Sequence, residues 1–75
     1  MYLNNLPINK LARIKNISGE NVFIERLSDL GVFVGSKVKV LRIAPLLDPL
    51  EIKIKSFRIA IRKKDARYIE VIPYD

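Results

Sequence analysis

Two runs of strict alternation, Leu50-Glu51-Ile52-Lys53-Ile54-Lys55 and Phe57-Arg58-Ile59-Ala60-Ile61-Arg62, meet at a single seam, Lys55-Ser56. Side chains on a strand point to opposite faces in turn, so each run puts its apolar residues on one face and its charges on the other. The seam has room only for a tight turn, which makes the pair an antiparallel hairpin with Phe57, Ile59 and Ile61 inward. An isolated hairpin is marginal in water and must bury its apolar face against further strands or a helix. In a chain of 75 residues those elements have to come from the same single domain, spanning residues 1–75.

The rest of the chain supplies them. Met1 to Asn9 reads as a lead-in with a turn near Pro7-Ile8-Asn9. Lys10 to Ile17 reads as a first strand with Leu11, Ile14 and Ile17 as its inward candidates. Ser18-Gly19-Glu20 then offers a helix start: Ser18 or Gly19 can cap, and Glu20 suits the positive end of the helix dipole. Phe23, Leu27 and Leu30 recur at helical spacing and form one apolar stripe, and Gly31 stands where a left-handed C-cap is needed. After a turn at Val34-Gly35-Ser36, Val38 and Val40 alternate with lysines. Ile43 falls out of phase, so a β-bulge near Leu41 and Arg42 is expected, with the bend that closes a small barrel. Ala44 to Pro49 must be a loop, because Pro45 and Pro49 cannot sit in a paired strand. Lys63 to Ala66 makes a short turn, and Tyr68 to Ile72 forms the last strand, with Ile69 and Val71 inward and Pro73 as its stop. The fold expected is mainly β: a small, strongly bent barrel of about five strands with one α-helix inserted after the first.

The chemistry available is narrow. The chain has no cysteine and no histidine, which removes disulfides, thiolate and imidazole metal ligands and the usual general base. Its three glycines, at 19, 31 and 35, are isolated and form no phosphate-binding loop. The carboxylate pairs Asp48/Glu51 and Glu25/Asp29 read as solvated turn and helix positions. The expectation is a non-enzyme with no cofactor and no metal site. Apolar residues are 49% of the chain, enough for a compact core. Fourteen Lys and Arg against eight Asp and Glu give a net charge of +6, which suits an anionic partner: nucleic acid, a membrane surface or an acidic protein face. No apolar run is long enough to span a bilayer and no leader is visible at the N-terminus, so the expected location is the cytoplasm.

Several segments taken in order are similar to one family. Arg26-Leu27-Ser28-Asp29-Leu30-Gly31 resembles RLxxLG, and Val32 to Val38 resembles the turn that follows it. Ala44-Pro45-Leu46-Leu47-Asp48-Pro49-Leu50 resembles APLGDPL, Ile59 to Ala66 resembles LALRKxEA, and Ile69-Glu70-Val71 resembles a closing I-x-V strand. The pattern is that of the FeoA domain, from about Leu6 to Val71. Asn9, Val34, Leu47 and Ser56 depart from it, standing where the family has glycine, proline, glycine and glycine. The resemblance implies an SH3-like barrel that assists FeoB, the membrane ferrous-iron transporter, with iron as the partner's cargo. Similar domains occur at the end of DtxR-like metal-responsive repressors, but no helix-turn-helix precedes this one. The alternatives are a small basic nucleic-acid-binding barrel or a stand-alone relative of that repressor domain. A nucleic-acid reading lacks the interleaved aromatics that stack bases, Tyr68 being the one outward candidate.

Candidate partner-binding residues lie in three places. Leu46, Leu47, Asp48 and Pro49 form a proline-braced loop. Leu46 is expected to fold back over the open end of the barrel, and Leu47 to stay exposed, where it can anchor a partner. Arg26 on the helix either reaches a partner carboxylate or pairs locally with Asp29, the local pairing being the one expected. Lys53, Lys55, Arg58 and Arg62 should share one cationic face, extended by Lys63, Lys64 and Arg67. That face either meets an acidic protein or the anionic inner leaflet of the membrane, or is a solvated surface that keeps sheet edges apart. Self-association stays open.

Overall fold

The computed structural model describes all residues, 1–75. Five strands, β1 (Leu11–Ile17), β2 (Lys37–Ile43), β3 (Leu50–Ile54), β4 (Phe57–Ile61) and β5 (Ile69–Pro73), form one antiparallel sheet in the order β4-β3-β2-β1-β5. Helix α1 (Asn21–Asp29) connects β1 to β2, and a single turn, α2 (Lys63–Ala66), connects β4 to β5. The sheet wraps around one core of fifteen buried side chains, all of them apolar. Period two is visible in the burial: Val38 and Val40, Leu50, Ile52 and Ile54, and Ile69 and Val71 point inward.

Bulges do the bending. The register between β2 and β3 slips between Val40 and Arg42, at the expected phase break. A second slip, between Ile14 and Asn16, occurs in the pairing of β1 with β5. It explains a misread strand. Ala12 and Ile14 are the inward residues of β1, and the extra residue after Ile14 lets Ile17 pack partly against the core. Leu11 therefore faces outward, 37% exposed, against the expectation. β5 ends at Pro73, which is itself the strand's last paired residue, opposite Ala12.

The N-terminal lead-in is part of the core. Leu3–Asn5 forms a 3₁₀ turn that buries Leu3 and Leu6. Tyr2 bridges Glu70 and the Val71 N–H donates to the Met1 carbonyl (2.8 Å), so the chain start covers part of the β5 edge.

Helix α1 begins differently from the expectation. Glu20 is its N-cap and no side chain caps it; the Ser18 Oγ–H instead donates to the Tyr68 carbonyl (3.3 Å), tying the loop to the start of β5. Leu27 is the one fully buried member of the stripe, Phe23 is half-buried and Leu30 is exposed. Gly31 takes φ +85° as a C-cap should, and a Cβ there would stand 3.0 Å from the Phe57 ring. Phe57 thus lies at the rim over Gly31 and is partly exposed, although its alternation placed it inward. The β3–β4 turn is at Lys55-Ser56, as expected, with Lys55 supplying the positive φ (+55°) that glycine would otherwise provide.

Candidate functional site

The loop between β2 and β3 is built by a turn that proline favours. Pro45 occupies the second position of a β-turn closed by the Leu47 N–H donating to the Ala44 carbonyl (2.7 Å). The Ala44 N–H donates to the Pro49 carbonyl (3.1 Å), pinching the loop base. This geometry throws Leu46 into solvent, 91% exposed, where it was expected to fold back over the barrel. Leu47 is 60% exposed and sits at φ +67°, a left-handed conformation that costs a branched side chain about 1–2 kcal/mol. Two large apolar side chains thus stand free on a loop held in a strained shape.

Asp48 is spent internally. Its Oδ1 accepts the Lys63 N–H (3.0 Å), capping α2 from another element, and its Oδ2 lies 3.7 Å from Arg62 Nη1. The loop is thereby fixed to the β4–α2 junction. Beside it runs a groove between α1 and β4, with Phe23, Leu27, Leu30, Ala60 and Ile61 along its apolar wall and Arg26, Arg62 and Lys64 as its cations. Arg26 does not pair with Asp29: the ion pairs of the molecule are Lys15–Glu70, Arg58–Glu51 and Arg62–Asp48. Its guanidinium stays available at the groove.

The expected single cationic face is in fact two surfaces. Arg62, Lys63 and Lys64 lie at the groove end with Asp48. Lys53 and Lys55 belong instead to a depression on the other side, with Leu11, Lys37 and Lys39. Arg58, opposite Lys53, is paired with Glu51 (3.6 Å). Arg67 does not extend either surface: its guanidinium lies 5.0 Å over the Tyr68 ring, bonds the Tyr68 hydroxyl (3.1 Å) and donates to the Lys64 carbonyl (3.1 Å). Tyr68, held between Arg67 and Phe23, is half-buried and offers no stacking platform. No three Asp, Glu, His or Cys side chains come together in a way that could hold a metal ion.

What β1 and β2 contribute to this basic surface was missed from sequence, because the lysines of β2 were read only as the outward half of a strand. The signal was present in the pairing: a β2–β3 register that aligns Val40 with Ile52 must also align Lys39 with Lys53.

A single bent antiparallel sheet with a helix between its first two strands defines an SH3-like domain. The FeoA domain profile matches residues 1–73, and the chain belongs to this family. Among curated proteins it is 34% identical over 71 residues to the Fe(2+) transport protein A/Fe(2+) transporter FeoB fusion protein of Porphyromonas gingivalis; the match takes in 95% of this chain but 8% of the fusion protein's length. Among solved structures, the FeoA protein of Chlorobium tepidum superposes with a TM-score of 0.94 at 35% identity, covering all of this chain and 71% of that one. The zinc complex of Stenotrophomonas maltophilia FeoA, described as a prokaryotic SH3 domain protein, superposes with a TM-score of 0.81 at 25% identity over 96% of this chain and 89% of its own.

Proposed function

We propose that this chain is a non-enzymatic accessory of ferrous-iron uptake that binds FeoB from the cytoplasm. The observation that carries this reading is the Porphyromonas gingivalis relative, in which a homologous segment is fused to FeoB in one polypeptide. Domains joined in one chain in one organism are natural partners when they occur separately. No helix of the structure is long and apolar enough to cross a membrane.

The docking surface assigned to FeoB is the Leu46–Pro49 loop with the adjoining α1–β4 groove. Leu46 and Leu47 supply apolar anchors, and Arg26 and Lys64 can meet carboxylates at its rim. Loop strain supports this: a left-handed leucine is retained where glycine would be relaxed, which is a reason to look for a function in the side chain. Iron is the cargo of the transporter.

A titration of the isotope-labelled chain with the cytosolic domain of FeoB, followed by NMR, tests the assignment. Saturable shifts are expected at Leu46, Leu47 and the groove, and the double substitution Leu46→Ser/Leu47→Ser should weaken binding roughly tenfold or more. An absence of shifts with the cytosolic domain and with the whole transporter in nanodiscs would overturn it.

A further inference from the structure

The outer face of the sheet carries a second surface that FeoB binding at the loop does not use. Strand pairing lines up Leu11, Lys39, Lys53 and Arg58 across β1, β2, β3 and β4, and sets Arg13 opposite Lys37 in the next row. Lys37, Lys39, Lys53 and, at the hairpin turn, Lys55 line one basic depression with the outward-facing Leu11, and Arg13 and Arg58 flank it along the paired strands. Neighbouring strands are about 4.8 Å apart, so Lys39 and Lys53 stand close together as like charges directly opposite, an arrangement that destabilises a sheet. None of Arg13, Lys37, Lys39, Lys53 and Lys55 has a carboxylate partner in the molecule.

We propose that this face binds an anionic lipid surface. Its side chains favour that occupant over a shaped partner. Lysine is a flexible point charge, whereas fixed recognition of a carboxylate or phosphate is the work of the bidentate guanidinium, and four of the five free cations are lysines. No aromatic side chain lines the depression to stack a base, and its exposed apolar member, Leu11, suits the headgroup boundary. A layer of anionic headgroups also relieves the Lys39–Lys53 repulsion, which a single counter-charge would relieve only in part. The surface is separate from the loop, and the assay below contains no FeoB, so the two assignments fail independently.

Cosedimentation of the whole chain with vesicles of phosphatidylcholine alone, and of phosphatidylcholine mixed with phosphatidylglycerol, tests the proposal. Binding is expected to the mixed vesicles only and to weaken with salt. Each lysine contributes about fivefold to such partitioning, so Lys53→Glu should lower it about twentyfold or more. That variant should remain folded, because the new carboxylate stands between Lys39 and Arg58. Lys64→Glu, the same change of net charge at the groove, should lower it far less. Equal losses in the two variants would mean that net charge alone drives binding, and retention by Lys53→Glu would exclude this face; either result overturns the proposal. Tighter binding of a single-stranded oligonucleotide than of the mixed vesicles, lost in Lys53→Glu, would reassign the face to nucleic acid and overturn it as well.

Discussion

At Leu47 the backbone and the side chain want different things. Glycine would take φ +67° freely, and leucine does so at a cost, yet the side chain stays 60% exposed. Replacing it should therefore separate stability from binding. Leu47→Gly is expected to raise unfolding free energy by about 0.5–1 kcal/mol in urea titrations while weakening the FeoB complex. A destabilised Leu47→Gly would show instead that the leucine packs against the loop in solution. The conformation is half legible in the sequence, since Leu47 stands where the family has glycine, which calls for either a different turn or strain; the structure shows the leucine in the left-handed backbone. Asn9 is the contrast: it takes φ +67° as its side chain allows, and the Asn9 N–H donates to the Val40 carbonyl (2.7 Å). Leu46 was read wrongly because a proline-braced loop was assumed to close over the barrel, whereas the β-turn it forms points its third residue away from the core.

Strand and helix positions were legible where periodicity ran uninterrupted, as in β3 and β4, and the β2 bulge was legible because alternation broke there. β1 shows the limit. Leu11 and Ile14 have opposite parity, so both cannot face inward on an unbroken strand, and the small Ala12 that does face inward carries almost no hydrophobic signal. The start of the chain shows another limit. Two leucines three residues apart, Leu3 and Leu6, form one turn too short to show a period, yet both are buried and their segment adds to the β5 edge. Removing residues 1–6 should cost more than a flexible tail would. Each buried leucine is worth about 2–5 kcal/mol, comparable with the whole stability of a small domain. The truncated chain is expected to lose its cooperative thermal transition in circular dichroism and to aggregate through the uncovered edge. A retained transition would demote the segment to an accessory strap.

Over the whole molecule, polar and apolar chemistry are kept apart. The core is entirely aliphatic, and every charged group is at least partly solvated, so charge is free to be distributed for contact. It is distributed unevenly: carboxylates are spent on Lys15, Arg58 and Arg62, and Arg13, the cations of β2, Lys53 and Lys55 are left over. The total of +6 was legible at once; its division between the groove and the outer face depended on strand register, which no single segment contains. The FeoA resemblance located the loop and the helix, but not which of their side chains would be free.

The hydrogen bonding of Met1 and Tyr2 to β5 places the beginning of the chain beside its last strand. A short linker could therefore join residues 1 and 75, with new ends opened at Lys55-Ser56, and such a circular permutant should keep the native spectrum. The same proximity makes the domain a ready insert. A host polypeptide could enter and leave it beside one strand, so evolution could append or splice it without redesigning its core.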